Sequence, residues 1–174
     1  VIRYPRELEP GSVCADMILN VDFAPTFLDY AGIDIPESFQ GTSFRPVLQG
    51  NTPEDWRTGM YYRYWMHMAH AHANPAHFGV RSKEYKLIFF YGCDYTKRMQ
   101  DGNWPIEKIP FSVYRPFEYF TPPGWELYDM LNDPFEMNNL YGQPGYEEIT
   151  KNLKNQLKRL RTDLNETDEQ YPHI

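Results

Sequence analysis

The sequence predicts an α+β chain: a small antiparallel sheet of about four strands, packed by one long C-terminal helix. Two observations carry this. Four short aromatic or β-branched segments lie between residues 59 and 129, separated by breakers. Six apolar residues near the C-terminus then fall on a single helical stripe.

The elements follow in order. Val1-Ile2-Arg3-Tyr4 reads as the end of a strand stopped by Pro5, which suggests a piece of something longer. Arg6 to Ser12 is turn-rich and reads as a loop. A short helix comes next. Asn20 or Asp22 is placed to cap it, and Pro25 falls in its first turn, where a missing N–H costs little. Phe23, Phe27, Tyr30 and Ala31 keep helical spacing, and Gly32 stands where a helix stops. Ile33 to Leu48 carries turn residues at Pro36, Gly41 and Pro46. Gly50 to Asp55 is the best boundary, dividing the chain into 1–53 and 54–174.

After the boundary the pattern becomes strand-like. Gly59 to Trp65 is aromatic and free of breakers. Phe78 to Arg81 and Tyr85 to Tyr91 flank Ser82-Lys83-Glu84 and read as a hairpin. Gly92 to Pro123 has little periodicity and is longer than ordinary connections. Trp125 to Asp129 is a further strand, and Asp133-Pro134 a turn. Tyr146, Ile149, Leu153, Leu157, Leu160 and Leu164 then form the long helix's apolar stripe. Lys151, Lys154, Lys158, Arg159 and Arg161 read as its solvated face.

Composition narrows the function. The chain has 174 residues, 41% apolar and 24% charged, enough for a folded core. A net charge of −7 argues against a general nucleic-acid binder. No apolar run approaches the ~18 residues that suggest a membrane span, and no basic region followed by an apolar stretch opens the chain. Aromatics reach 17% although the mean hydropathy is −0.67. That mixture suits a Tyr-rich core first, and a surface that stacks on sugars second. Cys14 and Cys93 form no C-x-x-C motif, and their pairing is open.

Four of the five histidines, His67, His70, His72 and His77, lie within eleven residues. The H-x-x-H-x-H run is a possible metal motif, but it lacks a nearby Cys and the H-E-x-x-H pattern. A loop that lends one or two His to a ligand is the better reading. Asp129, Asp133, Glu136 and Asn138 form an oxygen-rich cluster without EF-hand spacing, read as structural. Asn165-Glu166-Thr167 fits a glycosylation acceptor only in a eukaryotic secretory setting. No phosphate-binding glycine loop and no G-x-S-x-G elbow occur, so no catalytic set is complete.

Four segments in order resemble the C-terminal part of the sulfatase family, a branch of the alkaline phosphatase superfamily. They are Asn20 to Gly32, Gln40 to Gly50, His77 to Arg81 with Tyr85 to Ile88, and Glu126 to Asp129 with Asp133 to Leu140. The resemblance implies that residues 1–53 are the tail of an α/β catalytic domain and 54–174 the sulfatase C-terminal α+β subdomain. Sulfatases cleave sulfate esters with a formylglycine made from a C-x-P-x-R type motif. Here Cys14 precedes Ala15-Asp16-Met17, and Cys93 precedes Asp94-Tyr95-Thr96, so neither fits. No catalytic residue and no metal ligand is therefore expected in this chain. Calcium and formylglycine are expected from an upstream part, without which the chain should be inactive.

The resemblance also implies partners: an N-terminal catalytic domain, and a sulfated carbohydrate such as N-acetylglucosamine-6-sulfate. No nucleic acid or membrane partner is expected, and exposed interface on residues 1–53 should favour self-association. Location by family is periplasmic, extracellular or lysosomal. The expected substrate-binding residues are His77, held at a strand end, His67 in the His-rich loop, and Trp104 in the long connection. Arg81 could bind sulfate, though a structural ion pair is the better reading. A phosphoesterase of the same superfamily, a stand-alone module for sulfated glycans and a metal-binding protein are the alternatives.

Overall fold

The computed structural model describes residues 1–65, 74–91 and 123–166. Two compact units divide the chain, Val1–Thr58 and Gly59–Ile174.

The first unit holds a single 3-10 turn at Asn20–Asp22, helix α1 at Phe23–Ala31 and the short helix α2 at Arg45–Leu48. Gly32 ends α1 at φ 68°, a left-handed conformation that costs glycine no Cβ clash. Phe44 and Val47 are buried, and the Phe44 ring meets Phe23 edge-on at 5.2 Å. Thr26 joins the helices: its hydroxyl donates to the Asp22 carbonyl and accepts from the Phe44 N–H. Arg45 ties Glu7 to Asp29 and lies over the Tyr30 ring.

Two expectations fail in this unit. Val1 to Tyr4 form no strand, because no described segment pairs with them. The Tyr4 carbonyl instead accepts from Glu7 and Leu8 in a turn. Asp22 occupies the cap position of α1 but makes no side-chain cap bond. Its carboxylate accepts from the Leu19 and Thr42 N–H groups and from Arg57.

The second unit is the expected sheet and helix. Strands β1 (Gly59–Tyr64), β2 (His77–Ser82), β3 (Tyr85–Phe90) and β4 (Gly124–Asp129) pair antiparallel in chain order. Side chains alternate between the two faces. Phe78, Val80, Leu87, Phe89 and Leu127 belong to one face and pack with Leu153 and Leu157 of helix α3 (Glu147–Asp163). Each fully buried large apolar side chain contributes about 2 kcal/mol of burial free energy, so this layer is the main source of stability.

Helix α3 departs from its sequence reading at two basic positions. Arg161 is buried, with its guanidinium 4.6 Å over the Phe78 ring, so the stripe ends on a cation. Leu164, the residue expected to finish the stripe, is exposed. Lys154 lies 4.2 Å over the Trp125 ring and donates to the Tyr141 hydroxyl. Lys151, Lys158 and Arg159 are exposed as expected. The long flexible stems of Lys and Arg explain this, since apolar patterning cannot tell whether they lie along a ring or reach into water.

The oxygen-rich turn after β4 is structural in its contacts. Asp129 accepts from the Leu131 and Asn132 N–H groups, and Asp133 from the Asn138 N–H. Glu136, left-handed at φ 57°, accepts from Lys86.

Candidate functional site at the His77 end of the sheet

The sheet's second face is built by register. One cross-strand row is Tyr64, His77, Phe90 and Gly124; the next is Tyr62, Gly79, Ile88 and Glu126. The first row marks one end of the sheet, where β1 and β3 finish and β2 and β4 start. Trp65, Asn74, Tyr91 and Pro123, the last described residues before each break and the first after it, adjoin this end.

His77 is held from several sides. Its Nδ1 is 2.7 Å from the Pro75 carbonyl oxygen, so Nδ1 carries the proton and donates. The ring stacks on Tyr64 at 5.6 Å, meets Tyr62 edge-on at 5.8 Å and lies 5.1 Å from Phe90. Fixing Nδ1 as donor fixes Nε2. In the neutral ring Nε2 accepts from a hydroxyl; in the imidazolium it donates to an anion. His77 therefore suits binding and orienting a polar ligand.

The surroundings make the site rigid. Gly79 leaves room for Tyr62: a Cβ on Gly79 would lie 2.9 Å from the Tyr62 hydroxyl and 2.5 Å from the Leu87 carbonyl oxygen. Burial pushes the Tyr62 hydroxyl above the usual phenol range, and nearby Glu136 adds to it, so Tyr62 stays neutral. The Tyr91 hydroxyl donates to the Tyr64 carbonyl, and the buried Arg63 guanidinium lies 3.4 Å over the Trp65 ring.

Beside this row is a surface cavity of about 390 Å³. Pro75 and Phe90 line it, and both also touch His77, although His77 itself does not. Trp125, Glu126 and Asn139 complete the other side. The Asn139 Oδ1 accepts from the Leu127 and Tyr141 N–H groups, which fixes that wall.

Of the expected binding residues, only His77 is described. His67 and Trp104 lie outside the described residues, as do His70, His72 and Cys93. Cys14 is a free, exposed thiol. Among the described residues Arg81 has no ion-pair partner, in contrast to the expected ion pair. It is exposed, it faces Lys86 across the strands, and Lys86 has already taken Glu136. Sequence reading missed Trp125 and Glu126, whose alternation within β4 was the available signal. Among the described residues no group of three or more His, Cys, Asp or Glu could hold a metal ion. No described helix is long and apolar enough to cross a membrane.

Comparison with known proteins agrees with this architecture. The chain is 36% identical over 170 residues to an N-acetylglucosamine-6-O-sulfatase of Bacteroides thetaiotaomicron, covering 97% of this chain and 25% of that protein. It is 33% identical over 159 residues to an ulvan-active sulfatase of Formosa agariphila, covering 88% and 30%. A solved structure in complex with its substrate, D-glucosamine-2-N,6-O-disulfate, superposes with a TM-score of 0.75 at 35% identity. That match covers 98% of this chain and 29% of the other. The chain thus spans 25%, 30% and 29% of the length of these three proteins. The family model described as N-sulphoglucosamine sulphohydrolase, C-terminal, matches residues 1–108 and 107–163, and the chain belongs to this sulfatase family.

Proposed function

We propose that this chain is the C-terminal portion of a sulfatase that hydrolyses sulfate esters of sugars, of the 6-O-sulfated N-acetylglucosamine type. It lends His77 to the rim of the substrate pocket. The observation that carries the proposal is the immobilised His77 ring, with Nδ1 committed to Pro75 and three aromatic neighbours. Nε2 is then the one ring atom free to meet a sugar hydroxyl or a sulfate oxygen. The 36% identity to an N-acetylglucosamine-6-O-sulfatase supports the sugar assignment.

In this reading residues 1–53 are the end of the α/β catalytic domain and 54–174 the smaller subdomain. His67 and Trp104 are the further substrate-binding residues of this proposal. Calcium and formylglycine, which sulfatases use, do not fit the described residues. Among them no group of three or more acidic, His or Cys side chains is placed to hold a metal ion, and Cys14 lacks the required motif. The reaction's electrophilic and nucleophilic groups belong to the upstream domain, and this chain binds and orients. The family favours a periplasmic, extracellular or lysosomal setting.

The test is reconstitution. The chain joined to an upstream sulfatase catalytic domain should release sulfate from N-acetylglucosamine-6-sulfate, while the chain alone should not. In the joined protein, His77→Ala should lower kcat/KM about tenfold, the loss of one well-formed polar contact. Turnover by the isolated chain, or full activity of His77→Ala, contradicts the proposal.

A further inference from the structure

Tyr91 follows β3 directly and is 5% exposed. It belongs to the core layer with Phe78 and Phe89, so its ring lies on the face of the sheet opposite the His77 ring. It nonetheless holds the chain on three sides of His77. Its backbone N–H donates to the Ala76 carbonyl at 3.2 Å, which anchors the residue before His77. Its ring stacks on Phe78 at 5.7 Å, which anchors the residue after. Its hydroxyl donates to the Tyr64 carbonyl at 3.1 Å, and Tyr64 is the residue opposite His77 across the strands.

The third contact matters most for the imidazole. Tyr64 is the last residue of β1, and chain ends of this kind open locally unless something holds them. The Tyr64 ring stacks on His77 at 5.6 Å with 27° between the planes. A Tyr64 backbone free to move would carry that ring off the imidazole. The Tyr91 hydroxyl is itself aimed, because it also accepts from the Arg63 Nε–H at 3.4 Å. Arg63 is buried and paired with Glu166, just beyond α3. With a donor on one side, the hydroxyl has its proton free for the Tyr64 carbonyl on the other. His77 keeps its proton on Nδ1 only while the ring stays turned toward the Pro75 carbonyl. Ala76 joins Pro75 to His77, and Tyr64 supplies the stack; Tyr91 is bonded to both.

We infer that Tyr91 is the positioning residue for His77, acting through Tyr64 and Ala76 to keep Nδ1 on Pro75 and Nε2 turned to the ligand. This deepens the proposed function and rests on it for what Nε2 meets. Tyr91→Phe keeps the ring, its packing and the Ala76 bond, and removes only the hold on Tyr64.

The first measurement follows the His77 ring nitrogens by NMR in the purified chain at about pH 8, where a histidine of ordinary pKa is neutral. The parent should show a protonated Nδ1 and a bare Nε2. Tyr91→Phe should move both resonances toward the average of the two tautomers. Tyr64→Leu, which removes the stacking ring and keeps the carbonyl, should give the same shift, and adding Tyr91→Phe to it should change nothing further. The second measurement uses the chain joined to an upstream sulfatase domain, with N-acetylglucosamine-6-sulfate. Tyr91→Phe should raise KM about threefold and leave kcat within about twofold of the parent. In the His77→Ala background it should alter neither, because both residues act at one point. Unmoved ring-nitrogen resonances in Tyr91→Phe, or an equal further loss on top of His77→Ala, overturn the inference. The two proposals fail separately. Shifted resonances without sulfate release by the joined protein sink only the sulfatase reading, and sulfate release with unmoved resonances sinks only the role of Tyr91.

Discussion

Arg57 and Asp22 form a bidentate ion pair although Asp22 is completely buried. The pair joins the chain before α1 to the segment after α2, and the Thr42 and Leu19 N–H groups fill the remaining carboxylate positions. An uncompensated buried carboxylate costs several kcal/mol, so the first unit's geometry depends on all of these donors acting together.

Asp22→Asn should therefore destabilise the first unit by about 3 kcal/mol, since it leaves Arg57 without its counter-charge. Burial alone would raise the Asp22 carboxyl. The Arg57, Thr42 and Leu19 donors outweigh it and hold the carboxyl below the ordinary range. A lowered folded value means the stabilisation is complete above the unfolded value of about 4 and fades as pH falls through the folded one. Hydrogen exchange of α1 amides at neutral pH and at about pH 3 should show this acid loosening in the native chain. The variant should show much less of it.

The basic residues of α3 should separate by mutation. Arg161→Ala removes a buried guanidinium from the Phe78 ring and should cost about 2 kcal/mol. Lys158→Ala and Arg159→Ala should each stay within about 0.5 kcal/mol of the parent. Denaturant titration of the second unit measures all three. Equal effects would contradict the buried placement of Arg161.

Gly79 and Tyr62 make an opposed pair of predictions. Gly79→Ala should destabilise by about 2 kcal/mol, because its Cβ would strike the Leu87 carbonyl oxygen, a backbone atom that cannot swing aside. Tyr62→Phe should leave stability unchanged or raise it, within about 1 kcal/mol, because the buried hydroxyl has no hydrogen-bond partner among the described residues. A large loss for Tyr62→Phe would mean that the hydroxyl is used after all.

Exposed apolar surface on the first unit should be visible in solution. Phe27 is 67% exposed and lies 6.3 Å from Phe23 on the same helix face. The isolated chain should bind a hydrophobic dye and self-associate weakly, and Phe27→Ser should reduce both. Sedimentation velocity at several concentrations provides the measurement. A strictly monomeric chain with no dye response would count against an unpartnered face there.

The order of elements in the second unit is legible from residue pattern. Aromatic runs bounded by breakers specify β1 to β4, and the 3-4 spacing from Tyr146 to Leu160 specifies α3, because periodicity directly encodes which face is buried. That pattern also singles out His77 as a strand-end residue. Tertiary structure alone decided the rest. Val1 to Tyr4 have strand composition but no partner edge among the described residues, and a strand exists only by pairing. Arg161 and Lys154 are charged by sequence and ring-bound in the fold, since a long side chain's destination depends on what lies across from it. Trp125 and Glu126 share a cavity wall with Asn74 and Phe90 only because antiparallel register brings distant strand ends to one edge. No local pattern records that meeting.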